Sequence, residues 1–309
     1  MNQKTLKVYK NRMIFFAISI ALILAGVVAL IINGVALDIQ FKGGAIIKYT
    51  YTGELSAQQK SDIAALVNST ISRSATVQTT DENSESQKLV LNLTGNEGLT
   101  AEEQDALHKA IREAYPDNNF EISETNIVEP FIGARFLRNG IIAIVLASVL
   151  IVLYIWFRFK QISGLSAGVM AVIALLHDCA LVFFTFVLFR IPLGDIFVAV
   201  MLTIIGYSIN NTIIIYDRIR ENSGIAAKMS VEDLMDLSIT QSMSRSIGTA
   251  FTTVSAIVIV YIFAALNGIQ SIENFALPMT VGMLAGFYSS NFIACPLWVI
   301  WQKRKHNSK

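Results

Sequence analysis

Apolar residues in this chain come in blocks. Met13 to Ile32 is one long apolar run, preceded by Lys4, Lys7, Lys10 and Arg12. Five more blocks follow near 138–157, 163–187, 193–216, 246–266 and 277–301. A helix needs roughly 20 apolar residues to cross a bilayer, and each block is long enough. The pattern predicts six membrane-spanning helices. The first block exceeds the apolar core of a typical signal peptide. Residues 13–33 therefore read as a retained first helix behind a short arm, 1–12.

Between Asn33 and Arg135 no stretch could span a membrane. AIIKYTYT, 45–52, alternates like a half-buried strand. Ser56 is placed to cap a helix over 57–68 with Ile63, Leu66 and Val67 as its apolar stripe. Strands fit 74–80 and 88–94, joined by the polar turn DENSES. Thr100 and Glu103 have capping-box spacing for a helix to about Ala114, stopped by Pro116 and Asp117-Asn118. A last strand fits 119–128. The order β-α-β-β-α-β is the split arrangement of ferredoxin-like domains. The predicted fold class is an α-helical polytopic membrane protein, with an α+β ferredoxin-like domain at 34–135 between transmembrane helices 1 and 2. Residues 136–301 hold helices 2–6, and 302–309 form a tail.

Charge sets the orientation. Basic residues gather in the N-terminal arm, at Arg158 and Lys160, at Arg218, Arg220, Lys228 and Arg245, and at Lys303, Arg304 and Lys305. Of the opposite flanks, only Arg190 is an exception to their low positive charge. An excess of Lys and Arg marks the cytoplasmic side. Both termini and the 217–245 loop are expected inside, and the 34–135 domain outside. In that loop Ser230 and Asp233 have capping-box spacing, and LMDLSITQSM reads as a separate amphipathic helix lying on the membrane. A partner-docking role for the same helix is the alternative.

Composition narrows the function classes. The chain is 53% apolar and 15% charged, against about 25% charged in soluble proteins. A net charge of +1 gives no sign of a nucleic-acid partner. Cys179 and Cys295 both fall inside spans, with no disulfide or zinc spacing. The three histidines lack metal-ligand spacing, and there is no phosphate-binding loop. No metal, cofactor or ATP hydrolysis is expected, and no Ser/His/Asp set or carboxylate pair has catalytic spacing. Asp81, Glu82 and Glu85 read as solvated turn residues.

Polar residues inside the spans carry what chemistry remains. GYSINNTIIIYDRIREN, 206–222, places Tyr207, Ser208, Asn210, Asn211 and Thr212 in a spanning helix. Such groups are costly in hydrocarbon and face a bundle interior or a water-filled path. At about 100° per residue, Thr203, Tyr207, Asn210 and Asn211 share one face. Two readings stand: hydrogen-bonded glue between helices, or an ion path. His177 and Asp178 sit inside the third span. An Asp at that depth costs about 2.5–3.5 kcal/mol on insertion scales. The pair reads as an ion-path group or as a local hydrogen-bonded pair. Arg245 opens the fifth span and keeps its charge. It either snorkels to the interface or, if that helix extends back towards Ser238, reaches the depth of Asn211. Gly282, Gly286 and Ser290 recur every four residues in the last span, a spacing that lets helix backbones approach. Ser289 and Asn291 add polar groups there.

Five stretches carry a resemblance: LDIQFKGG (37–44), ALLHD (174–178), GYSINNTIIIYDRIREN (206–222), QSMSRSIGTAFTT (241–253) and GMLAGFYSSNFIACPLW (282–298). Over essentially the whole chain the sequence resembles the SecF-type subunits of SecD/SecF pairs, in the resistance-nodulation-division superfamily. The resemblance implies a bacterial inner-membrane protein with a SecD-type partner. It also implies the SecYEG translocon and unfolded preprotein as contacts in the lipid bilayer, and an ion gradient as the energy source. Asn211 and Arg245 stand at positions the resemblance implies for the ion path, and the family usually has Asp where this chain has Asn211. Asn does not ionise. Other acids, such as Asp178 or those of the partner, a different coupling ion, or an inactivated form are the open explanations. The next readings are half of an exporter of lipid or small molecules, and a membrane-anchored binding or sensor module.

Overall fold

The computed structural model describes residues 5–38, 44–53, 55–82, 86–94, 99–128, 130–225 and 229–307. After helix α1, Arg12–Asn33, the chain builds a small α+β unit: β1 Gly44–Tyr51, α2 Ala57–Ile71, β2 Ala75–Glu82, β3 Ser86–Thr94, α3 Ala101–Ala114 and β4 Glu121–Val128. The strands form one antiparallel sheet in the order β2-β3-β1-β4. Period-two alternation decides which face is covered. Ala45, Ile47, Tyr49 and Tyr51 of β1 are buried, opposite Leu93, Leu91 and Leu89 of β3 in the register Ile47↔Leu91. Ile63 and Val67 of α2, Leu107 and Ile111 of α3, and Phe120 complete this core. Each fully buried Ile or Leu contributes about 1.5–3 kcal/mol.

Both helices of this unit start on capping boxes, Ser56 with Gln59 and Thr100 with Glu103. Arg73 reaches across to the Glu103 carboxylate at 3.0 Å. Asp81 and Glu82, expected in a turn, instead extend β2 and pair with Gln87 and Ser86. Pairing with β3 outweighs the low strand propensity of Asp and Glu at these positions. Glu85 and residues 39–43 of LDIQFKGG lie outside the described residues.

Among the described residues, six helical stretches are long and apolar enough to cross a membrane. They are α1, α4 Pro130–Arg158, α5 Gly164–Leu188, α6 Asp195–Ile225, α7 Val231–Leu266, and a last span made of α8 Gln270–Ser289 and α9 Cys295–Asn307. The last span is joined by a π-turn, Ser290–Ala294. Pro296 accounts for the widening: it has no N–H for the carbonyl one turn back, and its ring clashes there. At the start of this turn the Ser290 carbonyl accepts from Cys295 Sγ at 3.2 Å. Helices α5, α6 and the last span bury the largest shares of their residues and form the bundle centre, while α1, α4 and α7 bury far fewer.

The separate surface helix expected within 217–245 does not form. LMDLSITQSM is the start of α7, which runs from Val231 through the fifth span without a break. No proline interrupts it, and 36 residues make roughly 54 Å of helix, well beyond the roughly 30 Å hydrocarbon core. The amphipathic pattern in the overhang comes from packing on α6. Leu234, Met235 and Ile239 cluster with Ile215, Tyr216 and Ile219, and Asn222 Nδ2 donates to Ser238 Oγ at 2.9 Å. Ser230 Oγ accepts the Asp233 amide at 3.1 Å and donates to its carboxylate at 2.7 Å.

Both ends of α1 are tied to this bundle. Leu6 N donates to Thr240 Oγ1 at 2.9 Å and Tyr9 N to Asp236 Oδ1 at 3.0 Å. Lys303 pairs with Glu232 beside them. At the far end Leu193 N donates to Ala36 O at 2.8 Å, and Asp38 N to Leu193 O at 2.9 Å.

Candidate functional site

Helix α5 turns small residues inward at helical spacing, Ala167, Ala171 and Ala174, and then Asp178. The small side chains bring α5 close to its neighbours, which leaves Asp178 without solvent exposure. Its Oδ2 accepts two hydroxyls, Ser208 Oγ of α6 at 2.6 Å and Ser289 Oγ of α8 at 2.7 Å. His177 Nδ1 lies 3.1 Å from Oδ1, so a proton between ring and carboxyl serves either. Three helices thus converge on one carboxyl group.

A polar layer continues along α6. Thr212 Oγ1 and Ser290 Oγ are 2.8 Å apart, and Ser290 Oγ also donates to Ser208 O at 3.2 Å. Close approach of α8 makes this layer. A Cβ at Gly286 would stand 3.0 Å from Ser208 Cβ, and one at Gly282 would stand 2.6 Å from Ile204 Cδ1. Asn211, one turn beyond Ser208, is buried, and neither atom of its amide has a hydrogen-bond partner. Ser246 Oγ on α7 and His177 Nε2 are likewise buried and unpaired.

The polar residues of α6 do not share one face. Ser208, Asn211 and Thr212 point into the bundle, whereas Thr203, Gly206 and Asn210 are exposed, with Tyr207 at the boundary and its hydroxyl 3.3 Å from Thr253 Oγ1 of α7. The buried residues of α6 form one continuous arc whose edge falls between Tyr207 and Asn211, so adjacent polar positions part company. Arg245 is exposed, and among the described residues no hydrogen bond or ion pair joins it to Asn211. Its helix does extend back past Ser238.

Sequence reasoning gave Ser289 no part in the Asp178 site, and it missed the inward stripe Ser238, Ser242, Ser246 and Ala250 of α7 altogether. The four-residue recurrence of small residues was the available signal for the stripe. Among the described residues, no three His, Cys, Asp or Glu side chains gather as metal ligands would.

The fold and this site define a six-span helical membrane protein whose central helices enclose a hydrogen-bonded carboxyl group. Residues 107–304 match the family of the protein export membrane protein SecD/SecF, C-terminal region. The chain belongs to that family. SecF of Alicyclobacillus acidocaldarius is 35% identical over 294 residues, covering 94% of this chain and 91% of that one. SecDF of Bacillus subtilis is 30% identical over 96% of this chain but only 38% of its own length. A solved structure of SecDF from Thermus, a translocon-associated membrane protein, superposes with a TM-score of 0.78 at 25% identity, covering 98% of this chain. This chain spans 39% of that structure's length.

Proposed function

We propose that this chain is the SecF-type half of a protein translocase and works against a SecD-type half. The observation that carries the reading is near full-length similarity to SecF, at 35% identity over 94% of the chain. Proteins in which a like region is part of a longer SecDF polypeptide support the second half. So does the surface of α6 and α7, where Thr203, Gly206, Asn210, Arg245, Gly248 and Thr252 are all exposed. Polar side chains facing lipid are costly and are covered by further helices.

In this reading both termini and the α6–α7 connection are cytoplasmic, following the basic flanks. The α+β unit is then an extracytoplasmic, ferredoxin-like domain, a description its chain order and strand order favour. It contacts unfolded preprotein leaving a SecYEG channel. Asp178, with Ser208, Ser289 and His177, is the proton-handling group. The unpaired Asn211 and Ser246 favour a hydrated path beside it, because buried polar atoms are otherwise satisfied by water. An ion gradient moves the packing of these helices by binding one state better than the other.

Depleting this chain from cells in which it is the sole SecF-type protein tests the role. Secretory precursors should accumulate within one or two doublings, and normal export would overturn the reading. Orientation has its own test. An impermeant thiol reagent should label Glu102→Cys in intact spheroplasts and Met229→Cys only after permeabilisation.

A further inference from the structure

A cleft of about 960 Å³ opens where the end of α4, the start of α5 and the last turns of α9 meet. Its charged lining is wholly basic: Lys160, Arg304 and Lys305. Trp156 and Trp301 also line it, both about half exposed. Leu165 and Val169, both exposed, supply its apolar lining on α5. From there an exposed apolar track continues along α5 through Ile173 and Leu176. Residues 165–176 cover roughly 16 Å of helix at 1.5 Å per residue, about half the roughly 30 Å hydrocarbon core. Bases and tryptophans at one end, with an apolar track one leaflet deep behind them, match an amphiphile with a negative head. Tryptophan is at home at headgroup level, and basic pockets between spanning helices hold anionic heads.

We propose that this cleft is a binding site for an anionic phospholipid. The phosphate lies among Lys160, Arg304 and Lys305, and an acyl chain runs along Leu165, Val169, Ile173 and Leu176. A soluble phosphate compound would use the bases but not the track. Lipid binding requires only a bilayer. The inner leaflet as its location rests on the orientation proposed above, so a failure of the translocase reading would leave the site standing.

The test uses the full chain purified in mild detergent, with native mass spectrometry of retained lipid. Phosphatidylglycerol and phosphatidylcholine of the same acyl chains are offered at equal concentration. One phosphatidylglycerol should be retained, with at least a tenfold preference. The triple variant Lys160→Gln, Arg304→Gln, Lys305→Gln should lose about a hundredfold in affinity, at about 1 kcal/mol per base. Lys7→Gln with Lys10→Gln, which removes charge from the N-terminal arm, should change nothing. Val169→Trp, at an exposed position, should block the track and weaken retention at least tenfold with every base in place. Equal retention of the two lipids, or wild-type retention by both the triple variant and Val169→Trp, would overturn the site. Glycerol 3-phosphate competing as well as the lipid would overturn the lipid as its occupant.

Discussion

Asp178 and Ser289, 111 residues apart in the chain, share a hydrogen bond of 2.7 Å. That bond ties α5 to α8 at the residue before the π-turn, where the last span is already loosened by Pro296. A change at the carboxyl group therefore meets a helix joint able to move. Asp178→Asn keeps the volume and a carbonyl oxygen able to accept from both serines, but removes the titratable group. The protein should accumulate in the membrane at normal levels. Precursor processing should fall at least as far as in Arg245→Met. Full processing in Asp178→Asn would show that the carboxyl carries no coupling.

Gly206 and Gly248 are exposed, and nothing beyond their own helix backbone lies within 4 Å of where a Cβ would stand. Space for a larger side chain exists within this chain but not against a closely packed neighbour. Gly206→Leu and Gly248→Leu should each leave the folding of this chain intact, or stabilise it by up to about 1 kcal/mol through the helix propensity gained. Co-purification of a SecD-type partner should drop at least tenfold. Undiminished co-purification would move the partner surface to another face.

The spans and the α+β unit were legible because each rests on a local rule. Block length fixes a spanning helix, alternation fixes β1, and Ser56 and Thr100 mark helix starts. What was not legible depended on which neighbour a face meets. LMDLSITQSM is amphipathic whether it lies on lipid or on α6, and only the absence of a breaker up to Leu266 decides that it continues α7. Likewise Thr203, Tyr207, Asn210 and Asn211 have the spacing of one face, but the packed bundle buries Asn211 and leaves Asn210 exposed. Asp178 stood out by its cost in a span. Ser208 and Ser289 were visible as polar groups in spans but not as its partners, because helix pairing across the bundle is not written in spacing along one helix.

In the α+β unit the Glu103 carboxyl is held below the usual range, first by the Thr100 amide and then by Arg73. A group with a depressed folded pKa adds stability that is complete above its unfolded pKa and is lost as pH falls through the folded one. The first turn of α3 should therefore loosen as pH drops from about 5 towards about 3. Glu103→Gln should already be weaker at pH 7, by less than about 1 kcal/mol, and should lose this pH dependence. Amide hydrogen exchange along α3 in the full-length protein reads both. Identical profiles for the two proteins would show that the Arg73 contact and the cap carry no charge term.

Asn211 is buried one turn from Ser208, with both ends of its amide unpaired. Leaving such a group without partners costs about 1–3 kcal/mol, so a purely structural role predicts that Asn211→Leu is stabilising or neutral and leaves export intact. A hydrated path predicts the opposite for function: Asn211→Leu should fold as well as the parent but lose precursor processing several-fold, because the apolar side chain dries the path. Asn211→Asp separates the remaining explanations. It restores an ionisable group at a position where water or a partner residue is needed to satisfy it. If Asp178 alone carries the proton, Asn211→Asp should be tolerated and should make export more sensitive to a protonophore. If the parent protein is inactive and Asn211→Asp gains export, the chain is an inactivated form and Asn211 is its lesion. Normal export in Asn211→Leu, with or without the protonophore, would leave the residue as packing between helices and remove it from the path.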